Sequence, residues 1–172
     1  MAGSLVLIDS DTASSSASIT LTGMTSTYDV YMVTCNTVFP ANDNVYLHAR
    51  FTESGSPNIT SNYDSAYINL KDTDAFNNSG YTNRSNFYVV NNYIGTGTQE
   101  QLNAVCYIFN SQDSGEYTLL TQETISAGHT FTVWGNQGGG VMTVTSIVDG
   151  IHFYMDSGNI TSGEFKLYGL KK

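Results

Sequence analysis

Hydrophobic and polar side chains alternate along most of the chain with a period of two residues. The clearest case is the run Val-Tyr-Leu-His-Ala-Arg-Phe at 45–51, in which the apolar residues face one side and Tyr, His and Arg face the other. Successive side chains of a β-strand point to opposite faces, so this run is typical of a half-buried strand. No stretch has the spacing of a long amphipathic helix. The pattern predicts an all-β protein.

The alternating runs predict short strands separated by turns rich in Gly, Asn and Ser. The predicted strands are Ser4–Ile8, Ser18–Thr22, Tyr28–Thr37, Val45–Thr52, one over 66–71, Phe87–Val90, Leu102–Phe109, Glu116–Gln122, Thr130–Trp134, Val141–Val148, Ile151–Met155 and Phe165–Leu170. Asp9–Ser16 is predicted to be a Ser-rich link. Asn77–Gly80 is predicted to be a loop in the least regular part of the chain, 58–100. This spacing favours a single domain over 1–172, an antiparallel two-sheet β-sandwich that is jelly-roll-like.

Two runs carry large side chains on both faces of the predicted strand. They are Val30–Val33 and Ala104–Phe109. A strand that is apolar on both faces is typical of the centre of a sheet. We expect one face of each run in the core and the other face under loops or a neighbouring subunit.

Charged residues make up only 12% of the chain, and the net charge is −9. No Lys or Arg precedes Arg50, and none lies between Arg84 and Lys166. Nucleic-acid binding needs a cluster of Lys and Arg that displaces counterions from phosphates. Binding to an anionic membrane surface needs the same kind of cluster. The charge pattern therefore argues against nucleic acid and membrane as partners.

Targeting segments and cysteines indicate the compartment in which a protein is made and acts. The apolar run Leu5–Ile8 is too short for a secretion signal, and no run approaches a membrane span, so synthesis in the cytoplasm is expected. Cys35 and Cys106 each lie in an apolar strand, which favours buried, reduced thiols, with a disulfide as the alternative. The sparse charge is nevertheless typical of extracellular proteins. Particles that assemble inside a host and are released by lysis would combine these features.

Motifs for catalysis or cofactor binding are weak. Gly95-Thr96-Gly97 begins like a dinucleotide fingerprint, but Glu100 occupies the position of the third glycine. The acidic loops Asn42-Asp43-Asn44 and Asp72-Thr73-Asp74 offer oxygens for calcium, although turn chemistry explains them equally. The histidines and glutamates form no catalytic or metal pattern and are expected at surfaces and strand ends: His48, His129, His152, Glu53, Glu100, Glu116, Glu123 and Glu164. We therefore expect no enzyme activity, no catalytic or metal site and no cofactor.

Aromatic residues in the irregular middle provide the strongest binding signal. They lie among many Asn and Ser residues, and they are Tyr63, Tyr67, Tyr81, Phe87, Tyr88 and Tyr93. Rigid amphipathic rings make good contact surfaces because little entropy is lost on binding. Three uses remain open for this set: ordinary sheet packing, a protein interface, or a platform on which sugar rings stack.

Two segments carry a resemblance to a known group of proteins. The first runs from Ser18-Ile19-Thr20-Leu21-Thr22 through Tyr28-Asp29-Val30-Tyr31, and the second is the closing segment 151–169. The closing segment contains Met155-Asp-Ser-Gly-Asn-Ile-Thr-Ser-Gly-Glu-Phe-Lys-Leu-Tyr-Gly169. Together they resemble small virion structural proteins of tailed bacteriophages, especially phages of aquatic bacteria. The resemblance covers the ordered parts of the chain but not 58–100.

The resemblance implies a jelly-roll-like sandwich without catalysis, located on a phage particle. The specific expectation is a capsid decoration protein that acts as a homo-oligomer, for example a trimer, in contact with major capsid or other virion proteins. The alternative is a receptor- or carbohydrate-binding module of a phage tail or fibre, which would contact a host-surface glycan. No site residues are implied, because the shared residues are strand and turn residues.

Overall fold

The computed structural model describes residues 4–128 and 132–170 of the chain, and over these residues it is all-β. No described helix is long and apolar enough to cross a membrane. His129 and the first two residues of the predicted strand Thr130–Trp134 lie outside the described residues.

The larger of two antiparallel sheets has eight strands. In spatial order they are β1 (Leu5–Ser16), β13 (Ile160–Leu170), β3 (Val30–Pro40), β9 (Leu102–Phe109), β10 (Thr118–Ala127), β11 (Val133–Met142), β6 (Tyr63–Lys71) and β7 (Phe76–Arg84). The predicted central runs fall in β3 and β9, which are neighbours in the middle of this sheet. That prediction of central strands is confirmed.

The smaller sheet has five strands. It contains β2 (Ile19–Thr22), β12 (Gly150–Met155), β4 (Leu47–Glu53) and β5 (Ser56–Pro57) in that order, and β8 (Phe87–Tyr88) pairs with β4. All strand pairs in both sheets are antiparallel. The predicted two-sheet β-sandwich is therefore confirmed, and the jelly-roll detail stays a prediction.

The hydrophobic core lies between the two sheets. Phe153 of β12 and Phe165 of β13 are fully buried, and their ring centroids lie 5.2 Å apart across the interface. Phe87 of the smaller sheet contacts Tyr63 of the larger sheet edge-on, with ring centroids 4.8 Å apart. Burying a side chain of this size stabilises a fold by about 1.5–3 kcal/mol. These rings hold the sheets together.

Three predictions about extended structure were wrong. Asp9–Ser16 is part of β1, because its backbone pairs with β13 along almost the whole strand, with an irregularity between Leu7 and Asp9. Asn77–Gly80 belongs to β7, which forms a hairpin with β6. Val141–Val148 is strand only as far as Met142. In the first two cases backbone hydrogen bonds to a neighbouring strand stabilise residues with low intrinsic strand preference.

The two sheets have unequal widths. The smaller sheet cannot cover the inner side of β10, β11, β6 and β7, and the irregular segment 86–94 covers part of it instead. Every residue from 86 to 92 is buried. The backbone of this segment is satisfied by specific partners: Val89 N–H donates to Leu47 O at 2.9 Å, and Val89 O accepts from the Gln122 amide at 2.9 Å. Of the predicted strand Phe87–Val90, only Phe87 and Tyr88 are strand.

The closing segment 155–169 connects the smaller sheet to the larger one. The predicted turn at 156–159 is confirmed, and Gly158 adopts a φ of 74° there. Gly169 lies under the ring of Tyr28, where an added Cβ would approach Cδ2 to 2.4 Å. Both glycines are explained by backbone geometry and close packing.

Both cysteines are free thiols in the core. Cys35 of β3 pairs with Ala104, and Cys106 of β9 pairs with Val33, so the two cysteines are diagonal neighbours. Diagonal residues on adjacent strands lie about 7–8 Å apart, which is too far for a disulfide. Burial raises the pKa of Cys106 to about 12 and also raises the pKa of Cys35.

We therefore expect both thiols to be unreactive in the folded protein. Labelling with a thiol reagent at mildly alkaline pH should modify neither cysteine without denaturant and both in urea, because only the exposed thiolate is nucleophilic. Mass spectrometry of the labelled protein measures this. Rapid native labelling would contradict the burial, and unlabelled cysteines in urea without reductant would indicate a disulfide.

Candidate functional site

Four of the six candidate aromatics lie inside the protein, which is the ordinary sheet packing among the three uses left open for this set. Tyr63 and Phe87 are 0% exposed, and Tyr67 and Tyr88 are also buried. The Tyr63 hydroxyl donates to Asn58 O at 3.1 Å and accepts from Phe51 N at 3.2 Å. The Tyr67 hydroxyl accepts from Tyr88 N at 3.1 Å. Their polar ends are satisfied internally, which allows the whole residue to be buried.

The other two, Tyr81 and Tyr93, line a cleft of about 480 Å³ at the edge of the sandwich. Its lining is aromatic and amide-rich: Tyr46, Asn69, Lys71, Asn77, Ser79, Tyr81, Asn91, Asn92, Tyr93, Thr132 and Trp134. The volume lies within the range of about 300–1,000 Å³ found for small-molecule sites. We call this surface the aromatic cleft.

The aromatic cleft forms where the larger sheet extends past the smaller one. Asn69 of β6 pairs with Asn77 of β7. In the neighbouring row of the larger sheet, Lys71 of β6 pairs with Trp134 of β11. The segment 91–94 forms the facing wall, and Ile94 anchors it by bridging to Val45 and Gly128. Side chains that face inward at these positions therefore meet open space instead of the opposite sheet.

An amide network lies below the cleft. The Gln122 amide donates to Asn136 Oδ1 at 3.1 Å, and the Asn136 amide donates to Asn69 Oδ1. All three residues are buried. Asn136 is the register partner of Asn69, so the network crosses neighbouring strands. Connected amide groups of this kind hold a buried polar surface rigid.

Aromatic rings form the walls of the cleft. The centroids of Tyr46 and Tyr93 lie 4.3 Å apart, and Tyr93 is 40% exposed. Lys71 Nζ lies 4.9 Å from the ring centroid of Trp134. The Tyr81 hydroxyl donates to Asn91 Oδ1 at 2.9 Å. Tyr46 and Trp134 were missed by the sequence prediction, although Tyr46 lies on the polar face of the predicted run at 45–51 and Trp134 is the single tryptophan.

A second aromatic cluster with two arginines adjoins the cleft on the outer side of the smaller sheet. Arg50 lies 4.4 Å from the Tyr154 ring centroid and donates to Ser85 O at 2.8 Å. Arg84 donates to the Tyr88 hydroxyl at 3.1 Å. Both guanidinium groups therefore have neutral protein partners.

His48 lies within this cluster and is buried, so the prediction of a surface histidine was wrong for it. Its ring contacts Tyr88 edge-on at 4.7 Å and Tyr154 at 5.4 Å. Burial lowers the pKa of His48 to about 4, against an opposing effect of Asp156, and Arg50 and Arg84 lower it further. The side chain is therefore neutral near pH 7. His152 is half-buried and pairs with the Thr20 hydroxyl at 2.7 Å.

The outer side of the larger sheet carries a row of neutral residues. It crosses all eight strands in register: Leu7, Tyr168, Met32, Tyr107, Thr121, Gly139, Ala66 and Gly80. We call this row the outer belt. Leu7, Tyr107 and Ala66 are exposed, and the glycines of β11 and β7 belong to a groove of about 740 Å³. No described loop covers the exposed members.

A second exposed row runs parallel to the outer belt on the same face. Ile125, Gly135, Leu70 and Phe76 are register partners on four neighbouring strands. Ile125, Leu70 and Phe76 are each at least half exposed. This side of the larger sheet is thus more apolar than the inner side of β10, where Gln122, Thr124 and Ser126 are buried.

The residues considered as calcium ligands or as catalytic acids form hydrogen bonds within the fold. Asp72 Oδ2 accepts from Val133 N at 3.1 Å, and the Asn42 amide donates to Ser157 Oγ at 3.0 Å. Buried Glu100 accepts from Gly97 N at 2.8 Å, so Gly95-Thr96-Gly97 is part of a turn closed by this carboxylate. Among residues 4–128 and 132–170, no group of three His, Cys, Asp or Glu side chains could hold a metal ion.

No family model matches the chain, and the comparisons with curated proteins and with solved structures found no match either. Function must therefore be inferred from the two surfaces, the aromatic cleft and the outer belt.

The lowered pKa of His48 predicts that this residue destabilises the fold in acid. In the unfolded chain its pKa is about 6.5, so below that pH the unfolded state binds a proton that the folded state does not. Stability is lost as the pH falls from about 6.5 towards 4, with a contribution from His48 of about 2 kcal/mol at about pH 5. His48→Phe keeps a ring against Tyr88 and should remove that part of the loss.

Urea unfolding near neutral pH and at about pH 5 measures this difference. His152→Gln is the control, because His152 is only half-buried and should change the pH dependence less. Parallel pH dependence in the wild type and in His48→Phe would contradict the assignment.

Proposed function

We propose that the chain is a non-enzymatic structural protein of a tailed bacteriophage virion, a capsid decoration protein that acts through contacts with its own copies and with capsid proteins. The observation that carries this proposal is the outer belt, an uncharged row that crosses the whole larger sheet on its exposed side. The resemblance of the segments 18–31 and 151–169 to virion structural proteins supports the same function.

The outer belt has the length that a specific interface requires. Neighbouring strands lie about 4.8 Å apart, so a row across eight strands extends about 34 Å. A standard interface buries about 800 Å² on each partner. The belt, its groove and the row from Ile125 to Phe76 lie on one broad face, with the hydrogen-bonded pair Glu123 and Gln137 between the two rows. Exposed apolar groups on such a face are typical of sites that contact another protein.

The outer belt is the part of the surface through which two copies of the chain can meet with little charge repulsion. Each copy carries a net charge of −9, so two copies repel each other through most orientations. The outer belt contains no charged residue, and its members present backbone, apolar groups and the hydroxyls of Tyr107, Tyr168 and Thr121 to a partner. Contact through the belt brings few acidic residues to the interface: Asp64 lines the groove, and Glu123 lies between the belt and the second row. An oligomer built in this way buries the exposed members Leu7 and Tyr107.

The glutamates with the best-defined contacts also fit a structural protein. Glu53 Oε1 accepts hydrogen bonds from Ser146 and Asn58, and Glu164 pairs with Lys166 at 2.8 Å. Glu100 closes the turn at Gly97. Each of these carboxylates stabilises the fold locally.

The proposal predicts that a charge in the outer belt disrupts the oligomer. Tyr107 is 38% exposed at the middle of the belt, so Tyr107→Lys should fold normally and weaken self-association at least about tenfold, because it buries an unpaired charge. Analytical ultracentrifugation measures the association and also tests the expected trimer. Ile59→Lys is the matched control, since Ile59 is 67% exposed in a loop outside both sheets.

Binding to particles provides the second measurement. Wild-type protein should co-sediment with capsids that lack it, and Tyr107→Lys should do so less than Ile59→Lys. A wild-type protein that stays monomeric at high concentration and does not bind such capsids would contradict the proposal.

A further inference from the structure

We propose that the aromatic cleft is a binding site for a neutral oligosaccharide. This inference concerns the inner side of the larger sheet and does not depend on the outer belt. It rests on three features of the cleft: rings available for stacking, polar side chains without a protein partner, and the absence of a charge excess.

The rings provide faces on which sugars can stack. Tyr46 and Tyr93 form a tilted pair with centroids 4.3 Å apart, and Trp134 lies across the cleft beside Lys71. Tyr46 is only partly buried and Tyr93 is 40% exposed. The C–H face of a pyranose is apolar and packs on such rings, as other partly apolar groups do. Rigid rings of this kind lose little entropy on binding.

The polar side chains of the cleft can form hydrogen bonds with the hydroxyl groups of a sugar. The side chains of Asn77 and Ser79 make no hydrogen bond with the described residues, and both line the cleft. Asn92 is 7% exposed, and its Oδ1 has no hydrogen-bond partner there either. An amide presents both donors and an acceptor, which suits a sugar hydroxyl that donates and accepts.

The network under the cleft holds these groups in place. Asn69 lines the cleft and accepts from Asn136, which in turn accepts from Gln122 at 3.1 Å. Asn91 is held by the Tyr81 hydroxyl at 2.9 Å. A site whose polar groups are already oriented loses less free energy when it binds a ligand.

The charge of the cleft selects a neutral ligand. Lys71 is the only charged residue among the described residues that line it, and its ammonium group lies over the Trp134 ring. Asp72 and Asp74 follow Lys71 in the turn between β6 and β7, so the neighbourhood has no excess positive charge. A phosphorylated or polyanionic ligand would need several cations. A neutral saccharide needs only the rings and amides that are present.

Trp134 provides a direct measurement, because it is the single tryptophan and its ring lines the cleft. Neutral oligosaccharides built from glucose, galactose and N-acetylglucosamine are first tested on a glycan array, together with uronic-acid oligomers and a Tyr- and Asn-rich peptide. Each probe is then titrated while the tryptophan fluorescence is recorded. We expect at least one neutral oligosaccharide to change the fluorescence in a saturable way, with a dissociation constant from about 10 μM to about 1 mM.

Substitutions of cleft residues test whether the oligosaccharide binds in the cleft. Tyr93→Ala should weaken binding about tenfold by removing a stacking ring, and Asn77→Ala should weaken it a few-fold by removing hydrogen bonds. Tyr117→Ala is the matched control, because Tyr117 is an exposed tyrosine outside the cleft and should leave the affinity unchanged. Circular dichroism and thermal melting show that each variant is folded. Asn77 is itself exposed, so Asn77→Ala tests the site even where Tyr93→Ala fails to fold.

Three outcomes would overturn the inference. The first is that no neutral oligosaccharide changes the fluorescence at about 10 mM. The second is that Tyr117→Ala weakens binding as much as Tyr93→Ala does. The third is that only the uronic-acid oligomers or only the peptide bind, which would assign the cleft to a different class of ligand.

Discussion

The unequal width of the two sheets is the constraint from which the other features of this structure follow. Eight strands on one side face five on the other, and β5 and β8 are only two residues long. The inner side of β10, β11, β6 and β7 therefore lacks a complete partner sheet. It is closed by the irregular segment 86–94 and by side chains that bond to one another. An unpaired buried polar group costs about 1–3 kcal/mol, so connected groups such as Gln122, Asn136 and Asn69 reduce this cost.

The same constraint reverses the usual polarity of the larger sheet. Along β10 the buried residues include Gln122, Thr124 and Ser126, whereas Leu119 and Ile125 are exposed. In β6 the buried residues are Tyr63, Tyr67 and Asn69, and Leu70 faces outward. Part of the sheet is therefore amide-rich inside and apolar outside. The aromatic cleft and the outer face are two results of this one arrangement.

The sequence pattern predicted what depends on local chemistry and on strong alternation. The run at 45–51, the central positions of β3 and β9, and the turn at 156–159 were all predictable from side-chain spacing or turn residues. The face of each strand was less predictable, because alternation shows that two faces differ without showing which is inside. Tyr63 lies in a segment that looks irregular in sequence, and Phe87 lies in a predicted strand whose inward face the sequence does not show. Both are core residues, since their burial depends on contacts with distant strands. Asp9–Ser16 and Asn77–Gly80 are extended only because a neighbouring strand supplies hydrogen bonds.

The alternation of β-strands also makes the two surfaces compatible with each other. In β6, β7 and β11, Ala66, Gly80 and Gly139 belong to the outer belt, while Asn69, Ser79 and Trp134 line the cleft. Successive side chains point to opposite faces, so contact with a partner through the belt leaves the cleft open on the other side. A subunit attached to a particle by its outer face would therefore present the cleft to the surroundings. Contact with a partner and binding in the cleft can then use the same three strands, with Tyr81 lining both the groove and the cleft.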